Sequence, residues 1–417
     1  MGSKWVLVLV MFMFVSLQGC LSQTSGCWEE ERVALLQLKH FFNRPNSLRD
    51  WVELGDCCQW EAVTCNGSTG RVISLFLQDT RDRELRESYL NASLFSAFGQ
   101  LMALNLSRNS IAGFVENKGS DKLLRLSNLE NLDLSYNRFN NNIFSSLGAL
   151  SSLKELYLND NGLKGVVNVS GLDSLYNLES LHMGNNEIGK LIFPKGLRGL
   201  KYLYLENVGI HDASSLVSIP SLATLDLSYN NFSEMTTTQE YLHNFTFIEQ
   251  LRLDGSSLHI SLIQSFVVLT SPRELWMQNC QVNGVLGSQE YLNNFTNVEL
   301  LNLDGSSLHI SLLQFIGAFT SLNTLSMRSC QLNGILDFQD SLNNLEALDM
   351  SNNEIDKFIF GKGLKKLETL YLLNVSIHDE ISSLLHSLAS LPSLKSLDLS
   401  SNNFSDSTTT QGKCCSF

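Results

Sequence analysis

Six side chains with binding chemistry lie between residues 157 and 276, in the middle of the chain. They are Tyr157, His182, Tyr202, Tyr204, Arg252 and Trp276. Five of them stand directly after a leucine, and Tyr202 lies close by. Tyrosine, tryptophan and arginine are enriched at the energetic centres of interfaces. The same side chains could instead stack on one another and stabilise a sheet, and the two roles are compatible. We predict that these residues form a ligand-binding surface.

Side chains for catalysis are not grouped in this way. The eight histidines are scattered, and His211, His259, His309 and His378 occur in loop sequences that follow from internal duplication. The sequence has no phosphate-binding loop, no His-Glu-x-x-His and no Gly-x-Ser-x-Gly. A formal net charge of −13 disfavours binding to nucleic acid, which needs clusters of lysine and arginine. We therefore predict no enzymatic activity, no metal, no cofactor and no nucleic-acid partner.

The binding row is positioned by a repeated leucine pattern. The sequence Leu-x-x-Leu-x-Leu-x-x-Asn-x-Leu, or a close variant, recurs thirteen times between Leu101 and Phe404. Its second leucine returns every 22 to 27 residues, which is the period of leucine-rich repeats. One unit cannot bury its leucines alone, but stacked units can. The pattern predicts an α/β solenoid, a leucine-rich repeat horseshoe with a parallel concave sheet, and the six residues should lie on the concave face of that sheet.

One further position in each repeat should be buried at a backbone turn. It is asparagine in seven repeats and cysteine in two more, Cys280 and Cys330, which we interpret as buried structural thiols. The asparagines are Asn109, Asn137, Asn161, Asn186, Asn230, Asn353 and Asn402. In four other repeats the asparagine is replaced by Val208, Val375, Ser256 or Ser306. In those repeats we expect the serine hydroxyl or a water molecule to form the hydrogen bonds that the backbone of the turn needs.

The first 24 residues have the features of a cleaved secretory signal peptide. Lys4 precedes an apolar run from Trp5 to Leu17, too short to span a bilayer, and no second run of 18 apolar residues follows. Asn-x-Ser/Thr sequons also favour secretion. A sequon at Asn105 lies inside a strand motif and is disfavoured. The predicted glycosylation sites are Asn66, Asn91, Asn168, Asn231, Asn244, Asn294, Asn374 and Asn403.

Residues 25–70 interrupt the repeat pattern and should cap it. Residues Glu29 to Phe42 show near-helical periodicity with acids in the first turn, so we predict a helix there. Cys27, Cys57, Cys58 and Cys65 indicate an oxidised extracellular module rather than a zinc site. Because adjacent cysteines cannot easily bridge, two pairings remain. They are Cys27–Cys57 with Cys58–Cys65, or the crossed version.

The cap resembles a known family. C-W-E-E-E-R-x-A-L-L-x-L-K, followed by W-x(5)-C-C-x-W-x-x-V-x-C, resembles the capping domain of plant leucine-rich repeat receptor-like proteins. The resemblance, which extends from residue 27 to about 404, implies the Cys27–Cys57 and Cys58–Cys65 pairing. It also implies an extracellular, ligand-binding receptor without a kinase, in defence or development. The implied partners are a peptide or protein ligand and a leucine-rich repeat receptor kinase as co-receptor. The alternative is a secreted polygalacturonase-inhibitor-like protein that binds a wall-degrading glycosidase.

The sequence departs from that family in two respects. The usual Gly-x-Ile-Pro ending of each repeat survives only in fragments, such as Ile111-Ala112-Gly113. The carboxy-terminal cap, acidic spacer and membrane helix of the family are also missing, which fits a truncated gene model, a splice variant or a natural soluble form, and we expect no transmembrane anchor in this chain. Residues 71–411 are assigned to about thirteen repeats and one degenerate leading repeat. Residues 412–417 are assigned to an aberrant tail, and the protein to the apoplast or the outer face of the plasma membrane.

Overall fold

The computed structural model describes fourteen ranges of the chain. They are residues 26–82, 87–115, 126–194, 197–210, 219, 221–233, 248–259, 272–283, 297–307, 316–317, 319–338, 342–360, 363–375 and 381–402. The predicted signal peptide, the predicted tail and the sequons at Asn244, Asn294 and Asn403 lie outside them. Within the described ranges, no helix combines the length and the apolar character that crossing a membrane requires.

Strands outnumber helices throughout the described residues. The α-helices are Glu29–Phe41, Ile143–Leu147 and Ile381–Leu388, and the 3-10 helices are Cys57–Gln59, Ala92–Ala97 and Ser170–Leu172. The strands are β1 Val63–Cys65, β2 Val72–Phe76, β3 Ser88–Leu90, β4 Ala103–Asn105, β5 Ile111–Phe114, β6 Asn131–Asp133, β7 Glu155–Tyr157, β8 Lys164–Asn168, β9 Ser180–His182, β10 Glu187–Ile192, β11 Tyr202–Tyr204, β12 Thr224–Asp226, β13 Asn231–Phe232, β14 Gln250–Arg252, β15 Ser257–His259, β16 Glu274–Trp276, β17 Gln281–Asn283, β18 Leu300–Asn302, β19 Thr324–Ser326, β20 Asn333–Asp337, β21 Ala347–Asp349, β22 Glu354–Ile359, β23 Thr369–Tyr371 and β24 Ser396–Asp398.

The chain forms two compact units, residues 1–162 with 170–178 and residues 163–169 with 179–417. In the first unit, β1 pairs antiparallel with β2, and β2, β4, β6 and β7 follow as parallel neighbours. In the second unit, the parallel order is β9, β11, β12, β14, β16, β18, β19, β21, β23 and β24. Each unit is therefore a stack of parallel-strand coils, which confirms the predicted solenoid.

The leucines of neighbouring strands lie in register and form the core. Leu203 pairs with Leu225, and Leu225 pairs with Leu251, so their side chains stack on the inner side of the sheet. All three are fully buried. A one-residue slip would turn this column to solvent, so the spacing of the leucines specifies the register.

Short second sheets lie after the turn of several repeats, and the sequence pattern did not predict them. β3 pairs with β5 in the first unit. In the second unit β8 pairs with β10, β13 with β15 and β17, and β20 with β22. In β8, for example, Val167 is buried while its neighbours Val166 and Asn168 are exposed, as expected for a sheet with one solvated face.

The asparagine position links each coil to its predecessor. Asn137 Oδ1 accepts hydrogen bonds from the backbone N–H groups of Asn109 (3.1 Å) and Ile111 (3.0 Å), and its Nδ2 donates to carbonyls of both coils. At a serine position, Ser256 Oγ accepts from Asn230 N at 3.1 Å, as expected.

The cysteines at this position behave as the sequence predicts. Cys280 and Cys330 are unpaired and buried, and each Sγ donates to a carbonyl oxygen of the preceding coil at 3.1 Å. Burial raises the pKa of both thiols to about 12. Because the thiolate is the reactive form, these two side chains are structural.

The cap contains the predicted helix and both disulfides, Cys27–Cys57 and Cys58–Cys65. The helix ends at Phe41, one residue earlier than expected. Val33, although apolar, is exposed on this helix. Glu31 occupies the buried face instead, where its carboxylate meets Arg71 Nε at 2.8 Å and Val72 N at 3.0 Å.

Candidate ligand-binding face

In each unit, the first and third residues of the parallel three-residue strands lie on the side of the sheet opposite the leucine column, because side chains alternate along a strand. We call this surface the strand face. In the second unit the third positions of successive strands are His182, Tyr204, Asp226, Arg252 and Trp276, which pair in register. Parallel strands lie about 4.8 Å apart, so these five positions span roughly 19 Å. The second unit therefore places four predicted binding residues in one row, with Tyr202 in the adjacent column.

The row begins with a stacked pair of rings. The rings of His182 and Tyr204 lie 4.2 Å apart between centroids, with their planes inclined by 9°. The hydroxyl of Ser180, two residues before His182, lies 2.9 Å from His182 Nε2. Burial lowers the pKa of His182 to about 4, so its ring is neutral at physiological pH. Burial also raises the pKa of Tyr204, and the nearby Asp226 carboxylate adds to that shift.

Arg252 is the fourth of the five positions in the row, and two carboxylates lie beside it. Its Nη2 donates to Asp254 Oδ2 at 3.0 Å, and its Nε lies 3.6 Å from Asp226 Oδ2. The guanidinium carbon also lies 5.5 Å from the centroid of the Trp276 ring. About 40% of the side chain remains exposed. Arg252 is thus a fixed, partly exposed donor whose charge is offset by its neighbours.

Trp276 ends the aromatic part of the row. Its ring is half-buried, and Nε1–H donates to Glu274 Oε2 at 3.2 Å. Tyr202 lies beside the row, 39% exposed. Tyr157 belongs to the first unit, on β7, where its hydroxyl donates to Glu155 Oε2 at 3.0 Å. The second unit therefore brings together His182, Tyr202, Tyr204, Arg252 and Trp276.

Sequence reasoning missed the polar residues that fix this row. Asp254 follows the strand of Arg252, and Glu274 and Ser180 each stand two residues before a ring on the same strand. Because side chains alternate along a strand, residues two apart share a face. This rule could have identified Glu274 and Ser180 from the sequence.

The described sequon asparagines lie at other places. Asn168 ends β8 and Asn231 begins β13, both exposed on the short second sheets, and Asn374 is exposed in the loop after β23. Asn66 is exposed in a turn, and Asn91 caps the 3-10 helix Ala92–Ala97. The disfavoured Asn105 is half-buried on β4. Glycosylation of these asparagines stays a prediction.

Matches to known domain families fall on the cap and on the repeats. Residues 29–66 match the leucine-rich repeat N-terminal domain, and residues 128–150 and 390–407 match leucine-rich repeats. Receptor-like protein 9b of Arabidopsis thaliana is 39% identical over 186 residues, covering 44% of this chain and 19% of that protein. Cuscuta receptor 1 of Solanum lycopersicum is 34% identical over 274 residues, covering 63% of this chain and 22% of that protein. The chain thus spans about a fifth of the length of these relatives.

Solved structures share the fold. The ectodomain of the Arabidopsis receptor kinase HAESA, in complex with the peptide hormone IDA and the co-receptor SERK1, aligns with a TM-score of 0.51 at 24% identity. That alignment covers 90% of this chain and 66% of HAESA. A leucine-rich repeat protein of Leptospira interrogans aligns with a TM-score of 0.50 at 19% identity, covering 79% of this chain and 91% of that one. The chain is therefore a leucine-rich repeat protein with a leucine-rich repeat N-terminal domain, and it is similar to plant receptor-like proteins.

Proposed function

We propose that the chain is the ligand-binding part of an extracellular receptor-like protein and that it binds a peptide or protein on the strand face of its second unit. The observation that carries the proposal is the row from His182 to Trp276. It combines stacked rings, a fixed guanidinium and an indole on consecutive strands. Side chains of these types form the energetic centres of interfaces.

The geometry of the row suits an extended segment of a ligand. A row of about 19 Å corresponds to roughly six residues of extended chain, at about 3.3 Å per residue. An Nη2–H of Arg252 and the Nε1–H of Trp276 are already hydrogen-bonded to neighbouring carboxylates, so less ordering of these two side chains is needed when a ligand binds. These features support binding of a short peptide or of an extended loop of a protein.

An extracellular location is supported by the cap. Two disulfides in a region of about forty residues are typical of an oxidising compartment. The predicted signal peptide and the exposed sequon asparagines support the same location. We propose the apoplast or the outer face of the plasma membrane.

We further propose that signalling requires a leucine-rich repeat receptor kinase as co-receptor. The family resemblance supports this step. The HAESA ectodomain, which shares the fold, was solved with a peptide hormone and a co-receptor. The likeness between HAESA and this chain concerns the fold alone. The proposal that this chain binds a ligand therefore rests on the side chains of its strand face.

The proposal is tested with the secreted protein immobilised and exposed to peptides from plant extracellular fluid. We expect the wild type to retain a peptide whose affinity falls by more than about 1 kcal/mol in Trp276→Ala and in Tyr204→Ala. Lys190→Ala, an exposed change on β10 of the second sheet, is the matched control and should bind like the wild type. Loss of affinity in Lys190→Ala with full affinity in both strand-face variants would place the ligand elsewhere.

A further inference from the structure

Two glutamates occupy the same structural position beside two of the aromatic side chains. Glu155 is the first residue of β7 and Tyr157 the third, while Glu274 is the first residue of β16 and Trp276 the third. Residues two apart on a strand lie on the same side of the sheet. Each glutamate therefore shares the strand face with its aromatic partner, the first pair in the first unit and the second pair in the second unit.

The hydrogen bonds of the two glutamates are the same. Glu155 Oε2 accepts from the hydroxyl of Tyr157 at 3.0 Å and from Nδ2 of Asn131 at 2.5 Å. Glu274 Oε2 accepts from Nε1 of Trp276 at 3.2 Å and from Nε2 of Gln250 at 3.0 Å.

The two amides also correspond in position. Asn131 is the first residue of the strand that precedes β7 in its sheet, and Gln250 is the first residue of the strand that precedes β16. In both units, one carboxylate oxygen therefore joins the amide of the preceding strand to the aromatic side chain of its own strand.

We propose that Glu155 and Glu274 are positioning residues, which fix the orientation of Tyr157 and Trp276 on the strand face before a ligand arrives. A hydrogen bond to a charged acceptor is stronger than a neutral one, and it restricts rotation of the ring. The amide from the preceding strand limits the movement of the carboxylate in turn. At Trp276 the fixed plane also keeps the indole beside the guanidinium of Arg252. The binding role of the two rings rests on the proposed function, whereas the hydrogen bonds do not.

Tyr204 and Tyr371, two other aromatic side chains on described strands of this face, lack this arrangement. The residue two before Tyr204 is Tyr202, and the residue two before Tyr371 is Thr369, and neither is a carboxylate. Tyr204 is ordered by stacking on His182 instead. Glu368 is a suitable control for Glu274, because its carboxylate is bonded to Lys395 Nζ at 2.6 Å on an exposed part of the chain.

The first experiment needs no ligand. The indole N–H resonance of Trp276 is assigned in tryptophan-labelled protein by its loss in Trp276→Phe. We expect Glu274→Ala to shift this resonance and Glu274→Gln to restore most of the wild-type position, because the amide oxygen still accepts. Glu368→Ala should leave the resonance in place. A Trp276 resonance that is the same in wild type and Glu274→Ala overturns the proposal, whatever the protein binds.

The second experiment uses a peptide selected from a random library against the wild-type protein. Ordering one side chain at an interface corresponds to an affinity change of about threefold to tenfold. We expect Glu274→Ala to weaken binding by this factor and Glu274→Gln by less than about twofold. In the Trp276→Ala background, Glu274→Ala should have no further effect. An equal loss in both backgrounds would show that Glu274 contacts the peptide directly and would overturn the positioning role. If Trp276→Ala itself binds like the wild type, the proposed binding face is wrong, and the resonance of Trp276 alone then decides the positioning role.

Discussion

Replacing Glu31 by alanine should detach the cap helix from the first coil. The Glu31 carboxylate is fully buried and accepts from both Arg71 Nε and Val72 N. Arg71 also donates to Ala97 O at 3.2 Å, and its guanidinium lies over the Trp28 ring at 4.4 Å. Without Glu31, a largely buried guanidinium loses its counter-charge and the Val72 N–H loses its acceptor.

The expected loss of stability follows from this geometry. Removing one partner of a buried ion pair costs about 3–5 kcal/mol, because the remaining charge is uncompensated. Glu31→Gln keeps an acceptor of the same shape and should cost less, about 1–3 kcal/mol. Replacing both partners with apolar residues, as in Glu31→Leu with Arg71→Met, should recover much of the loss.

Hydrogen exchange measures this loss locally, which suits a chain whose repeats need not unfold together. Peptides covering residues 29–41 and 63–76 should exchange about a hundredfold to a few thousandfold faster in Glu31→Ala, which is the ratio that about 3–5 kcal/mol corresponds to. Glu29 lies on the same helix and is paired with Arg32 in solvent, so Glu29→Ala is the control and should leave exchange unchanged. Exchange in Glu31→Ala within about twofold of the wild type would show that the buried carboxylate does not hold the cap helix on the first coil.

Three further predictions concern the disulfides, the stacked histidine and the buried thiols. Cys57→Ser removes the Cys27–Cys57 disulfide, whose cysteines are 30 residues apart, and should destabilise the cap by about 3–4 kcal/mol. The same hydrogen-exchange experiment measures this loss, and a loss below about 1 kcal/mol would contradict the prediction. The pKa of His182 is about 4 in the folded chain against 6.5 in the unfolded one, so the unfolded state binds more protons between these values and stability should fall as pH decreases through that window. His182→Phe lacks this contribution. If the difference in Tm between His182→Phe and the wild type is the same at pH 7 and at about pH 4.5, the prediction for His182 is wrong. Cys280 and Cys330 should resist iodoacetamide in the native protein and react after unfolding, and mass spectrometry of their peptides checks this; native labelling would show that the thiols are accessible.

The leucine spacing predicted the repeated strands because burial depends on register. A leucine such as Leu225 is buried only when Leu203 and Leu251 lie beside it, so the period in sequence becomes the period in space. The cap helix followed from periodicity in the same way. The role of Glu31 did not, because its partner Arg71 lies 40 residues away and no local pattern joins them. Periodicity indicated only that an acid suits the first turn of a helix.

The row of candidate binding residues could also be located from sequence, since each one follows a leucine of the pattern. Their interactions could not. That Arg252 is held by Asp254 depends on the turn after β14, and that Glu274 accepts from Gln250 depends on the pairing of β14 with β16. Such contacts arise between coils, and a single repeat does not contain them.

Hydroxyl-radical footprinting of the secreted protein with and without a bound peptide shows which side chains the ligand covers, because aromatic side chains are oxidised in proportion to their access to solvent. We expect the peptide to protect Tyr202, Tyr204 and Trp276 on the strand face. Tyr176, which is 70% exposed in the first unit, should be oxidised to the same extent with and without the peptide. Protection of Tyr176 with unchanged oxidation of all three strand-face residues would show that the ligand does not bind on the strand face.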